Sequence, residues 1–445
     1  MKRTLLSLMI GMGITSSALA DDLLQVYKQA LANDPLVNQA KAQRDAAYEG
    51  ISISRANLLP QISGTVGYSM ASSERTDFAQ DDDGSLAINI IDSDSETLSY
   101  GLNLDMSLYD HANWVGLDRA EKVAQQSDAQ YAATMQQLIV RVVTAYFNVL
   151  RARDNVEFVR AEKRAIERQL EQTRQRFEVG LTAITDVHEA QANFDNTVAQ
   201  EIQAENQLES ALEAMRVITG KYHDRLYGLD TSTFSATVPT PNAVEAWLET
   251  AQDKNLALLV DKLAMDIAKE DISSARAGHL PTLGLNASAG RTKSDIESEG
   301  RDISLPSLDD YSIGVQLSVP IFQGLRVSSQ TDQARYLYVA ASQQAEQTYR
   351  ETVQSVRSSY NDVKAAISTI RALEQAVVSA QSALKATEAG FDVGTRTIVD
   401  VLDSTRNLFD ARRNLAGARY DFIQSVVDLK EAAGTLTGED IEQIN

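Results

Sequence analysis

Phe391-Asp392-Val393-Gly394-Thr395-Arg396-Thr397-Ile398-Val399-Asp400-Val401-Leu402-Asp403 reads almost the same as an earlier stretch, Phe177-Glu178-Val179-Gly180-Leu181-Thr182-Ala183-Ile184-Thr185-Asp186-Val187. In each copy an aromatic residue and an acid precede Val-Gly, and Ile-x-Asp-Val follows a few turn-tolerant residues. Long helix-forming stretches flank both. A Gly past the end of one helix supplies the positive-φ position, and Thr or Asp can cap the next helix. The two stretches are predicted to be hairpin tips between antiparallel helices.

Working outward, the landmarks around the tips recur in order. Ala120, Tyr146, Phe177, Gly180, Asp186 and Asn193 pair with Ala334, Tyr360, Phe391, Gly394, Asp400 and Asn407 at an offset of 214, and Leu59-Pro60 recurs as Leu280-Pro281 at 221. A repeat this long is a duplicated domain rather than a solenoid unit. The expected organisation is a signal peptide at 1–20, a first repeat at 21–220, a crossover at 221–254 and a second repeat at 255–445. Within the repeats, β-hairpins are placed at about 61–110 and 282–322, and tips at about 177–186 and 390–400.

Lys2 and Arg3 before an apolar run, then Ala18-Leu19-Ala20, are the marks of a secretory signal peptide. The chain has no cysteine, so disulfides do not hold it. A net charge of −21 argues against a nucleic-acid partner. After the signal peptide no apolar run approaches the ~20 residues of a spanning helix, so any membrane insertion must be by β-strands.

Strand patterns are present. Leu98, Tyr100, Leu102, Leu104, Met106 and Leu108 alternate with Ser99, Gly101, Asn103, Asp105 and Ser107, and Tyr311, Ile313, Val315, Leu317, Val319 and Ile321 repeat this. Shorter partners follow each Leu-Pro: Ile62, Val66, Tyr68 and Met70, then Leu283, Leu285, Ala287 and Ala289. Period two of this length means strand. The polar, acidic stretches between them, 71–97 and 291–310, are expected to be loops. A soluble sandwich sheet is the alternative, but the Gly, Ser, Asn and Asp of the other face offer little for a second layer. Four strands cannot close a barrel, so several chains must share one.

The remaining chain is predicted to be long helices at about 113–178, 185–219, 327–389 and 397–434. The first carries heptads on Leu117, Ala124, Tyr131, Leu138, Ala145, Ala152, Val159 and Ile166, with a slip at Lys163. A helix of about 65 residues is roughly 100 Å long. Sustained heptads with many Ala positions imply closely packed parallel axes. The crossover is expected to form a mixed collar outside them. The fold class is thus mostly α with a small transmembrane β part: an α-barrel of helical hairpins, four strands per chain in a shared β-barrel, and an equatorial collar.

An enzyme reading finds little support. The four histidines are dispersed, and Ala192 spoils a zinc-protease motif beginning at His188-Glu189. No P-loop, dinucleotide fingerprint or serine-nucleophile elbow is present. No catalytic residue and no cofactor are expected. The competing reading is structural, a periplasmic coiled-coil spacer or adhesin anchored by a small barrel.

At this point the residues resemble the TolC family of trimeric outer-membrane channel-tunnels, over essentially the whole mature chain. The marks are Leu59-Pro60-Gln61, His279-Leu280-Pro281-Thr282, the run Thr144-Ala145-Tyr146-Phe147-Asn148-Val149-Leu150 and, above all, the second tip. Within the family the chain is most similar to the branch of TolC itself, with no lipid-anchoring cysteine after the signal peptide. The resemblance implies a homotrimer whose twelve strands close one barrel in outer-membrane lipid, continuous with a periplasmic helical barrel. It implies docking of a periplasmic adaptor (membrane fusion) protein and an inner-membrane transporter, and export of drugs, detergents or secreted proteins, as in multidrug resistance and type I secretion.

Site expectations follow from both sources. Asp400 and Asp403 are i and i+3 on one helical face, and in a trimer they would set six carboxylates around the axis, a ring that holds cations weakly. The family places its acidic constriction there. For Asp400 a capping box with Thr397 remains an equal reading. Thr185, Asp186, Phe391 and Arg396 match positions where the family holds neighbouring hairpins together, Arg396 facing Asp186. The family's tyrosine is here Phe391, so the closed state rests on Arg396 or on aromatic packing. Gly180, Leu181, Val393 and Gly394 are the expected adaptor contacts, with turn geometry as the plainer role for the glycines. No metal site is expected beyond weak cation binding at Asp400 and Asp403.

Overall fold

The computed structural model describes residues 21–80, 84, 86–231, 234–298 and 301–444. The expected signal peptide and the Asp81-Asp82-Asp83 run lie outside the described residues. In chain order the elements are α1 (Leu23–Asn33), α2 (Pro35–Ala56), β1 (Gln61–Gln80), β2 (Leu86–Tyr109), α3 (His111–Glu178), α4 (Ile184–Thr219), α5 (Val244–Lys254), α6 (Leu256–Ala277), β3 (Thr282–Ser298), β4 (Arg301–Ser304), β5 (Leu308–Ser318), α7 (Arg326–Asp392), α8 (Ile398–Ala432) and α9 (Gly438–Ile444). Two compact units result, one of residues 43–128 and 260–346, the other of 1–42, 129–259 and 347–445.

The first unit is built on an antiparallel sheet. β2 pairs with β1 on one edge and with β3 on the other, and β4 and β5 lie successively along the far edge of β3. Between them stands Pro306, which has no N–H for a ladder, and the Leu305 N–H bridges the gap by donating to the Ser294 carbonyl at 2.9 Å. The register sets whole rows of side chains across the sheet. One row is Ile62, Leu104, Ala287 and Ile313, and the next face holds Ser63, Asn103, Ser288 and Ser312. The polar face knits itself together, with Ser288 and Ser312 hydroxyls 2.8 Å apart and the Asn286 amide donating to Asp105 at 2.8 Å. The apolar face is open: Ile313 is 80% exposed and Val66 81%.

The sheet corrects one expectation. The stretches 71–97 and 291–310 are largely strand, β1 and β2 staying in unbroken register from Gln61 opposite Asp105 to Gln80 opposite Leu86. A hairpin with solvent on both faces has no reason to alternate apolar with polar residues. Its ladder is propagated from the apolar band below, where the pattern is legible.

The second unit is helical. The heptad positions Leu138, Ala145, Val159 and Ile166 are buried, as are Val142, Val149, Val156 and Leu170 beside them. Leu138, Val142, Ala145 and Val149 join a core with Tyr360, Val363, Ile367, Tyr420, Phe422 and Val427 from α7 and α8, whereas Val156 and Val159 pack with Ala204 of α4, and Ile166 and Leu170 with Ala190, Ile398 and Leu402. Where the heptads slip, polar groups fill the seam: Lys163 pairs with Glu201, and the buried Glu162 receives Arg413 at 3.4 Å. Burial raises the Glu162 carboxyl above its ordinary value, with the Arg413 charge opposing the shift. Asp34 caps α2 by accepting the Val37 N–H at 2.9 Å, and Arg141 grips its two oxygens at 2.9 and 3.0 Å. In the crossover, Asp21 bridges to Leu226 and holds the buried His223 ring at 2.8 Å. Among the described residues no helix is long and apolar enough to cross a membrane.

Candidate functional site

The two tips have the same backbone. Gly180 and Gly394 both take φ 79°, a left-handed conformation open to glycine without strain. Past α3, Gly180 N–H donates to Phe177 carbonyl at 2.9 Å and Leu181 N–H to Arg176 carbonyl at 2.8 Å. Past α7, Gly394 N–H donates to Phe391 carbonyl at 3.0 Å and Thr395 N–H to Gly390 carbonyl at 2.8 Å. The Leu181 and Thr395 bonds are six-to-one and the two glycine bonds five-to-two, and together they close a Schellman turn and satisfy the last carbonyls of each helix. Leu181 and Val393 stand free at the apices, 74% and 75% exposed.

The helices that follow begin differently. Ala183 precedes α4 and offers it no side-chain cap, and the Asp186 carboxylate instead accepts the Thr182 hydroxyl. α8 starts with a complete capping box: Asp400 N–H donates to Thr397 Oγ1 at 3.3 Å, while Thr397 N–H and its hydroxyl both donate to Asp400 Oδ2 at 2.9 Å. The Thr397 N–H bond, then the hydroxyl bond and the nearby Arg396 charge, hold the Asp400 carboxyl below the usual carboxylate range. Its other oxygen lies 4.0 Å from Arg396. Asp403, one turn on, lies 3.4 Å from Arg406, which also donates to Asn193 at 2.5 Å. Thr397→Ala is expected to loosen the first turn of α8 by about 1 kcal/mol, seen as roughly fivefold faster exchange of the Asp400 amide.

Within one chain, then, Asp400 and Asp403 share a helical face and each keeps an arginine nearby, so the acidic pair is partly compensated. Arg396 faces Asp400 rather than Asp186 in the same chain. Thr185 is exposed on the first turn of α4. Phe391 packs on a small apolar cluster of Ile166, Leu170, Ala190, Ile398 and Leu402.

Two residues escaped the reading of the sequence. Arg176 lies with its guanidinium carbon 4.4 Å from the Phe391 ring centroid and its Nη2 3.9 Å from the Asp392 carboxylate. Gly390 leaves room for the Arg396 stem, since a Cβ there would come within 2.7 Å of Arg396 Cγ. Arg176 and Gly390 are the same position of the repeat, 214 residues apart, so the signal lay in a place where the copies disagree. Among the described residues no group of three His, Cys, Asp or Glu could hold a metal.

The family model described as outer membrane efflux protein matches residues 26–221 and 247–435. The chain is 49% identical over 437 residues to outer membrane protein TolC of Vibrio cholerae, covering 98% of this chain and 95% of that protein. It is 30% identical to the alkaline protease secretion protein AprF of Pseudomonas aeruginosa, over 97% of this chain and 88% of that protein. Its fold is similar to the Campylobacter jejuni CmeC outer membrane channel, with a TM-score of 0.75 at 17% identity, covering 95% of this chain and 89% of that one.

Proposed function

The chain belongs to the outer membrane efflux protein family, and from that premise we propose that three copies close their sheets into one barrel and gate export at the helical tips. It is an outer-membrane efflux and secretion channel. The observation that carries the assembly is the open sheet. β1 pairs only with β2 and β5 only with β3 among the described residues, so two edges keep unused N–H and C=O groups beside an exposed apolar face. Such edges cannot stand in lipid unless another chain covers them.

The apolar rows run from Met106, Leu285 and Val315 to Tyr68 and Leu98, where Arg291 opposite Asp309 and then Lys293 enter the same face. That band has the length of a tilted membrane-crossing strand, about 9–11 residues. Ile313→Arg, in its middle, is expected to destabilise insertion by about 2–4 kcal/mol, measured as vesicle folding against Ser312→Arg on the polar face.

At the other functional region, Asp400 and Asp403 form the proposed acidic constriction, and Arg396, Thr185, Asp186 and Phe391 the proposed contacts that keep it closed between chains. Gly180, Leu181, Val393 and Gly394 are the proposed contacts with a periplasmic adaptor that joins the channel to an inner-membrane transporter. The channel catalyses no reaction and takes its energy from the transporter. Single-channel current of the purified protein in a planar bilayer, with a mass for the assembly, tests the proposal: a cation-preferring trimer supports it, and a plugged barrel or a monomer would return the reading to a structural spacer.

A further inference from the structure

Three features of the tip had no role in the reading above. Arg176 is stacked over Phe391 at 4.4 Å; it lies 3.9 Å from the Asp392 carboxylate; and an open groove of about 400 Å³ lined by Gln172, Gln175, Arg176, Val179, Phe391 and Asp392 surrounds them. We propose that Arg176 is a positioning residue of the gate, a cationic clamp that ties the end of α3 to the end of α7 within each chain. The proposal rests on the channel reading for its consequence but not for its geometry.

The physical case begins with the helix ends. α3 and α7 both terminate here, and each C-terminus presents partial negative charge. α3 has Arg176 in its last turn, whereas α7 has no basic residue in its own. One guanidinium therefore serves two helix termini and the Asp392 carboxylate. Its backbone is fixed as well, because the Arg176 carbonyl accepts the Leu181 N–H that closes the turn.

Phe391 is held from both sides. Its ring rests on the apolar cluster with Ile166, Leu170 and Leu402 and receives the guanidinium on its face. A cation over an aromatic face needs the ring and not a hydroxyl. The contact also joins a first-repeat hairpin to a second-repeat hairpin, so any movement of one against the other must break it.

The test uses the full protein, which has no cysteine. Spin labels at Leu181→Cys and Val393→Cys report the separation of the two apices, and planar-bilayer recordings report the channel. Arg176→Gln removes the charge, Phe391→Leu removes the ring while keeping apolar contact, and Phe391→Tyr restores a ring. Each of the first two is expected to broaden the label distance and raise open probability by about threefold or more. The double variant is expected to go no further than the larger single one, because both break the same contact. Phe391→Tyr, which keeps a ring under the guanidinium, is expected to show no broadening of the label distance and no rise in open probability. An unchanged distance in Arg176→Gln, in protein that still assembles and conducts, overturns the clamp. Additive effects overturn it too. Absence of current from the wild type overturns the channel reading instead, and the label distances still decide the clamp.

Discussion

Exchanging Asp400 and Asp403 together for Asn is expected to weaken block by a trivalent cation from the periplasmic side by about 100-fold or more and to abolish cation preference. This allows on the order of tenfold for each ring of three carboxylates facing a multivalent ion, at close range in solvent. In a trimer the exchange removes six charges while Arg396 and Arg406 remain, so the ring loses its negative charge. The hairpin itself should persist, because an Asn oxygen can still accept the Thr397 N–H that Asp400 accepts at 2.9 Å. Asp400 is held below the usual carboxylate range by the Thr397 N–H and hydroxyl, so part of the block should survive to a pH below that at which ordinary surface carboxylates have neutralised. Titration curves of block for Asp400→Asn and Asp403→Asn check this, and a block insensitive to both exchanges would rule out the ring.

Arg141→Ala is expected to cost about 3–5 kcal/mol per chain, since it strands a buried carboxylate. Asp34 is 1% exposed, and Arg141 supplies two of its hydrogen bonds. Burial alone would raise the Asp34 carboxyl, but the Arg141 bonds and the Val37 N–H overcome it and the net shift is downward. A depressed value means that the native state favours the charged form. The contribution is full above the ordinary aspartate range and is lost as pH falls through the native value. The gap between wild type and Arg141→Ala in urea unfolding should therefore be widest near neutral pH and narrow in acid. Asp34→Ala combined with Arg141→Ala should recover part of the loss, because no unpaired charge then remains.

What the sequence made legible was what repeats. Period two between Leu98 and Leu108, the heptads from Leu117 to Ile166, and two copies of Val-Gly before Ile-x-Asp-Val each reflect a local backbone requirement, and local requirements leave periodic traces. The full length of β1 and β2 left none, because a hairpin solvated on both faces constrains its hydrogen bonds and not its side chains. Arg141 with Asp34 and Arg413 with Glu162 were also out of reach. They join residues 107 and 251 positions apart, and one sequence holds no mark of such a pair. At the tip, Asp400 could be read both as cap and as constriction, and the capping box occupies one oxygen while leaving the other beside Arg396. Arg176 was hidden for a different reason: attention to the agreement of the copies passes over the position where one has Arg and the other Gly.

The pairing of β2 with β3 bears on the order in which the protein can be made. Asp105 meets Asn286 across 181 positions and Thr97 meets Ser294 across 197, with α3 to α6 between them. A β1–β2 hairpin emerging first has one ladder only, and its apolar face and free edge must wait for the second half of the chain. Contacts of such separation form slowly, and the waiting surface is prone to misassociation. The long helices, whose bonds close within four residues, carry no such delay. The sheet, although the smaller part of the protein, is thus the step that ties maturation to completion of synthesis and to the handing over of an unfinished strand edge.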